Sequence, residues 1–152
     1  MFGKPYAEYI RYQLPLLGAI AAVGLLRLVL SIAGLPDSVV KFASMTAVGF
    51  AAMAYYGVTV RRRGFGTYRH LLPLVFNQGL IANAIAVLGI GLAVMGMPNI
   101  YDVPEFRGPF ATAQTTPLQH ALAHLLLGTT MGALVGWLFS SIVMAIFGRA
   151  RK

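Results

Sequence analysis

His120 and His124 stand four residues apart, and they are two of only three histidines in the chain. On a helix that spacing stacks both imidazoles on one face, close enough to reach a single metal ion together. Ala121, Leu122 and Ala123 lie between them, so the glutamate of the zinc-protease HExxH pattern is missing. A third metal ligand would have to come from Asp102, Glu105 or Met45. Haem clamped by the pair is excluded, because two axial ligands approach a ring from opposite faces and an i, i+4 pair shares one. Either histidine alone can hold a five-coordinate haem or the magnesium of a chlorophyll. The pair therefore reads as structural hydrogen bonding, as a cofactor contact to a tetrapyrrole or quinone, or as a metal site or proton relay. His70, beside Arg69, reads as an interfacial residue.

Arg27 is the one full charge deep inside an apolar run. Placing such a charge at the centre of a bilayer costs about 2.5 to 3.5 kcal/mol on insertion scales, so it needs a partner or a route to water. Its helical neighbours Gly24, Ser31 and Gly34 form a small, polar face, which predicts that the guanidinium turns into the protein. There it either bonds to carbonyls or lipid phosphate, or binds an anionic ligand. Asn83 sits near the middle of the third apolar run, with Asn77 and Gln78 about a turn and a half before it. Buried amides normally find partners across helices, so these read as packing contacts, with the lining of a polar path as the alternative. Asp102 and Glu105 lie in the one sizeable loop, residues 98–117, with Tyr101, Phe106, Arg107 and Phe110 and prolines at 98, 104, 109 and 117. That loop is longer than a simple hairpin needs and reads as a cap over an outward-facing pocket lined by Arg27, Ser31, Ser44, Thr46, His120 and His124.

The elements that must carry these residues are set by composition. The chain has 152 residues, 58% hydrophobic and 11% charged, with mean hydropathy +0.73. Soluble domains carry roughly a quarter charged residues, and disorder requires low hydrophobicity, so both classes are excluded. Four runs, residues 14–34, 42–60, 71–96 and 118–147, match the roughly 20 helical residues that cross a hydrocarbon core. The fold expected is an all-α, four-helix transmembrane bundle forming a single domain. A secretory signal is not expected at the start: the first run is too long, contains Arg27, and lacks a small-x-small cleavage site. Phe2, Tyr6, Tyr9, Ile10 and Tyr12, mixed with Lys4 and Arg11, read instead as an interfacial segment before the first helix.

Charge placement gives the orientation. Lys4, Arg11, Arg61, Arg62, Arg63, Arg69, Arg149, Arg151 and Lys152 fall on one side of four spans, and only Lys41 and Arg107 on the other. This is the positive-inside pattern, which puts both termini in the cytoplasm, most simply across a bacterial inner membrane. The net charge of +8 then belongs to membrane lipids and topology, and nucleic acid is not an expected partner.

Two further patterns concern assembly. Residues 11–16 read RYQLPL and 69–74 read RHLLPL; AGLPD (33–37) and MGMPN (95–99) close the two runs. Pro15 and Pro73 are expected in first turns and Gly34 and Gly96 at helix ends, a punctuation consistent with tandem duplication of a two-helix hairpin. Gly128, Gly132 and Gly136 continue the every-fourth-residue stripe begun by His120 and His124. Ala43, Ala47 and Ala51 repeat that spacing in the second run, and such stripes permit close helix contact, within the chain or between chains.

Functionally the chain is not expected to be an enzyme. No nucleotide-binding, hydrolase or metalloprotease motif is present, there is no cysteine, and four acidic residues leave little for acid and base chemistry. The first expectation is a small non-catalytic subunit of a larger membrane assembly, respiratory or photosynthetic, with other membrane subunits or copies of itself as partners. It would act through helix packing and one cofactor or lipid contact. The alternative is a small homo-oligomeric transporter or channel with a polar pocket around Arg27, His120 and His124.

Overall fold

The structure, a computed structural model, describes residues 1–102 and 115–148. Among these every regular element is helical: α1 (Tyr6–Ile32), the single turn α2 (Asp37–Val40), α3 (Met45–Arg62), α4 (Tyr68–Val94), a 3-10 turn (Ile100–Asp102), α5 (Pro117–Leu122), a π-helical turn (Ala123–Gly128) and α6 (Thr129–Phe147). Four helical stretches are long and apolar enough to cross a membrane: Tyr6–Ile32, Asp37–Arg62, Tyr68–Val94 and Pro117–Phe147. A 27-residue helix such as α1 or α4 rises about 40 Å, beyond the roughly 30 Å of a hydrocarbon core. The surface supports the same reading. Exposed large apolar side chains include Val29, Leu88, Leu126, Leu127, Leu138 and Ile146, a distribution water would penalise and lipid does not.

Helix starts differ from the expected ones because hydropathy marks the apolar core of a span and not its caps. α1 opens at Tyr6 behind Pro5, not at residue 14. Its first two turns are the aromatic segment that the sequence places outside the helix. Tyr9 packs edge-on to Phe65 and Tyr12 stacks on it, while Lys4 lies over the same ring. Pro15 is consequently the tenth residue of α1 and Pro73 the sixth of α4, both inside helices and not in first turns. The second span opens as α2, breaks, and restarts at Met45, where the Ser44 hydroxyl accepts from the Ala47 amide; Phe42 is outside the helix and 82% exposed. α4 starts at Tyr68 through a capping box: Thr67 N–H donates to His70 Nδ1 at 3.0 Å. His70 Nδ1 is therefore unprotonated, and Nε2–H donates to the Phe2 carbonyl at 3.2 Å. Gly34 and Gly96, at φ +80° and +87°, close α1 and α4 in the left-handed conformation that only glycine adopts at little cost. The amides of Leu35 and Met97 return to Leu30 and Leu92 carbonyls, the Schellman pattern.

The basic end of the bundle gathers Lys4, Arg61, Arg62, Arg63 and Arg69; the far end carries Asp37, Lys41 and Asp102. α6 packs on α3 and α4, and α1 packs on α4. α3 and α6 approach closely at Gly57, where an added Cβ would lie 2.7 Å from the Ser140 carbonyl oxygen. The every-fourth stripe does not act as a unit in this packing. The wider π turn cancels the drift that fourth-residue spacing has on an α-helix, so His120, His124 and Gly128 all face α4. Once α-geometry resumes, the buried face passes to Thr129, Ala133, Gly136, Ser140 and Met144. Gly132 is exposed, and a Cβ added there would have no atom within 4 Å. On α3 the buried residues are Ala52, Tyr56, Gly57 and Val60. Ala47 and Ala51 are exposed and Ala43 is half-buried, before the helix start.

Candidate functional site

All four spans and the 3-10 turn converge on a cavity of about 250 Å³ near the far end. Arg27 of α1, Gln78 and Asn83 of α4, Thr46 of α3, Tyr101 and His124 supply its polar atoms, and side chains such as Ile20, Met45 and Met53 its apolar wall. A mostly apolar concavity with a few convergent polar groups is the usual form of a small-molecule site. Arg27 is 9% exposed and Gln78 2%. By helical rise Arg27 lies about 8 Å below the end of α1.

The far-end turn is fastened by a short network. Asn99 donates to the carbonyls of Gly89 at 2.8 Å and Met97 at 3.0 Å, and its Oδ1 accepts from the Tyr101 amide at 3.1 Å. The Ile100 amide donates to Ser31 Oγ at 2.8 Å, tying the turn to α1. Tyr101, 3% exposed, then reaches the Gly24 carbonyl at 3.4 Å and approaches Met45 Sδ at 4.0 Å. Glycine at 89 and 24 makes this possible: a Cβ on Gly89 would sit 2.9 Å from Asn99 Oδ1, and one on Gly24 would collide with Met45. Burial pushes the Tyr101 phenol up from its ordinary pKa, and the positive charge of Arg27 pulls against that shift without cancelling it.

A second network runs from α4 into the π turn. Asn83 Nδ2 donates to the Gly79 carbonyl at 2.9 Å, which leaves Oδ1 as the acceptor facing His124 Nδ1 at 3.1 Å. His124 therefore carries its proton on Nδ1 and presents Nε2 as an acceptor toward His120. Its Nε2 meets Nε2 of His120 at 3.2 Å, with ring centroids 4.9 Å apart and planes inclined by 50°. Gly128 completes the arrangement, since a Cβ there would lie 2.7 Å from Asn83 Oδ1.

The residues singled out in the sequence are thus partly gathered. Arg27, Asn83 and His124 share the cavity wall; His120, 2% exposed, touches it only through His124. Asp102 ends the 3-10 turn, half-buried, and does not line the cavity. Glu105 lies outside the described residues, as do Phe106, Arg107 and Phe110. Among the described residues no group of three or more His, Asp or Glu could hold a metal ion. Sequence reasoning placed Tyr101 only in the capping loop and passed over Asn99; their signal is a tyrosine and an amide just beyond a helix-ending Gly-Met-Pro. It also passed over Gln13, fully buried on the α1 stripe Tyr9, Gln13, Leu17, Ile20, Gly24; neither of its amide atoms has a partner among the described residues. Comparison with protein-family models, with curated proteins and with solved structures gives no match.

Proposed function

We propose that the chain is a small integral membrane transporter or channel, working as a homo-oligomer, whose pocket at the far end binds a small organic anion. The observation that carries this reading is the cavity itself: one guanidinium, an imidazole, two amides and a phenol set into an otherwise apolar wall. An ionisable residue inside a span is costly and marks a binding or transport path more often than a structural role. Arg27 supplies the charge, Asn83 and Tyr101 orient the head, and Ile20, Met45 and Met53 cover an apolar body. Polar groups on the basic side of the cavity, Gln13, Thr129 and Ser140, are buried at 2% exposure or less without hydrogen-bond partners among the described residues. They support a hydrated route between the pocket and the basic end. In this reading the basic end is cytoplasmic, both termini with it, and the pocket opens to the outside of a bacterial inner membrane. Tandem duplication is part of it as well: α1 and α4 have the same length, contain one proline each and close on a left-handed glycine.

Benzenesulfonate is a suitable probe, being permanently charged, apolar in body and unable to cross lipid unaided. Binding to the purified chain and uptake into proteoliposomes are expected, both lost in Arg27→Leu and partly retained in Arg27→Lys. Uptake by the folded Arg27→Leu chain at the wild-type rate would overturn the reading.

A second reading is that of a non-catalytic subunit packed into a larger membrane assembly. It is favoured by Gly132, Ala47 and Ala51, small residues on the outer surface that the chain's own packing leaves uncovered. Such positions let another helix approach closely. Stoichiometric copurification of other membrane proteins, with no solute uptake by the isolated chain, would decide for it.

A further inference from the structure

We infer that His120 and His124 form a two-imidazole site for one borderline divalent cation, zinc or copper. Two nitrogens bound to one tetrahedral zinc at about 2.0 to 2.1 Å stand roughly 3.3 Å apart, and the two Nε2 atoms are 3.2 Å apart. The same separation fits a hydrogen bond between the rings, whose shared proton a bound ion would displace. A straight N–H···N bond of this length would hold the ring centroids roughly 5.5 Å apart. Both lone pairs converging on a common point off the N···N line bring them to roughly 5 Å. The observed 4.9 Å, with the planes inclined by 50°, is shorter than the straight bond gives and leaves both rings placed to turn toward one ion.

The surroundings of His124 are those of a metal-binding imidazole. Ligating histidines normally donate the other ring N–H to an oxygen acceptor, which fixes the tautomer and aims the free lone pair at the metal. His124 does so: Nδ1–H goes to Asn83 Oδ1, itself fixed by the Gly79 carbonyl. The π turn, Ala123–Gly128, brings His124 and Gly128 together onto α4, and single π turns inside helices concentrate at functional sites. Imidazole donors suit zinc, copper, nickel and cobalt and do not suit magnesium or calcium. The converging nitrogens favour a small ion between the rings over a macrocycle held by one of them.

This inference does not depend on the anion reading and is tested separately. The untagged full-length chain in detergent or nanodiscs is titrated with cobalt(II), whose visible bands report tetrahedral coordination, and the bound ion is displaced by zinc. One cobalt per chain is expected. His120→Gln and His124→Gln should each weaken it at least tenfold, Asn83→Leu should weaken it about 10- to 100-fold through the lost orienting bond, and His70→Gln should leave it unchanged. Arg27→Leu, which should abolish sulfonate uptake, should bind cobalt no more weakly than the wild type, because it removes a nearby positive charge. Nitrogen NMR of the histidines covers the case in which a variant fails to fold: zinc should shift both Nε2 resonances of the wild type and leave the His124 Nδ1 proton in place. Absence of cobalt binding, binding unaffected by His120→Gln and His124→Gln, or a proton between the rings that zinc does not displace would each overturn the inference.

Discussion

Gly57→Ala tests the packing of α3 on α6 with a single methyl group. The added Cβ would meet the Ser140 carbonyl oxygen and Val143 Cβ, each at 2.7 Å, where ordinary contact begins near 3.4 Å. The helices must part by about 0.7 Å or the carbonyl must tilt, and one side of the clash is backbone, which cannot rotate away. Overpacking of this kind costs about 1 to 3 kcal/mol. Against that, alanine gains about 0.5 to 1 kcal/mol over glycine inside a helix. At Gly132, on the same helix pair but with nothing within 4 Å, only the gain applies. The two variants should therefore move in opposite directions, separated by about 1 to 3 kcal/mol. For a chain of this length that is roughly 3 to 10 °C in Tm. Trp137 is the only tryptophan and sits on α6, donating to the Tyr68 carbonyl of α4 at 2.8 Å, so thermal unfolding followed by its fluorescence reads the release of α6 from the bundle. Equal melting of Gly57→Ala and Gly132→Ala would refute the packing argument. A loss confined to Gly132→Ala would refute it too, and would place the glycine stripe between chains.

Three further outcomes follow from the same structure. Gly128→Ala should push Asn83 off its bond to His124, lowering stability by about 1 to 3 kcal/mol and removing the His124 Nδ1–H signature from nitrogen NMR. Tyr101→Phe should flatten the alkaline arm of the stability profile. Because the folded-state phenol titrates above its unfolded value near 10, its contribution is complete below about pH 10 and is lost as pH rises through the folded value; chemical denaturation between pH 9 and 11.5 reads the difference. Thr116→Ala removes a hydroxyl that accepts from the Gln119 amide and half of a capping box. It should cost about 0.5 to 2 kcal/mol, seen as fraying of α5 in amide hydrogen exchange.

The four spans were readable because lipid-length apolar runs leave few other structures for a chain with so few charges. Their ends were not, and the reason is local. Tyr6, Tyr9 and Tyr12 lower the hydropathy of the first turns of α1 but stabilise them, Tyr9 and Tyr12 by packing on Phe65 and His70 and Tyr6 by its hydrogen bond to Asn77, contacts across 50 or more residues that no local window contains. Pro15 reads as a first-turn residue only if the helix starts where the hydropathy rises. The glycine stripe misled differently. Fourth-residue spacing predicts a groove on an uninterrupted α-helix, but the π turn over Ala123–Gly128 holds His120, His124 and Gly128 on α4 and the α-geometry that follows leaves Gly132 exposed, with the sequence pattern unchanged. At the pocket, Arg27, Asn83 and His124 could be picked out because each is polar where its neighbours are apolar. Tyr101 could not, since an aromatic in a loop is ordinary until Asn99 and Ser31 are seen to hold it in the protein.

Burial explains why the chemistry collects on one helix. Within its most apolar window α4 is 44% buried, against 28% for α1, 22% for the last span and 11% for the second. A helix enclosed by its neighbours can carry amides at mid-span, because each finds protein partners in place of hydrocarbon. Asn77 and Asn83 use that allowance: Asn77 accepts from the Tyr6 hydroxyl at 2.7 Å, and Asn83 bonds both its own helix and His124; Gln78 lines the cavity instead, its amide without a hydrogen-bond partner among the described residues. The lipid-facing side of α6 has no such shelter and is Met131, Leu134, Val135, Leu138 and Ile142. The pocket lies where the enclosed amide-bearing helix meets the π turn, the one place in the described chain where the last span turns two imidazoles inward. A polar residue moved from α4 to the exposed face of α6 would keep the composition and lose every partner, so the position of the amides, more than their number, makes this end of the bundle able to bind.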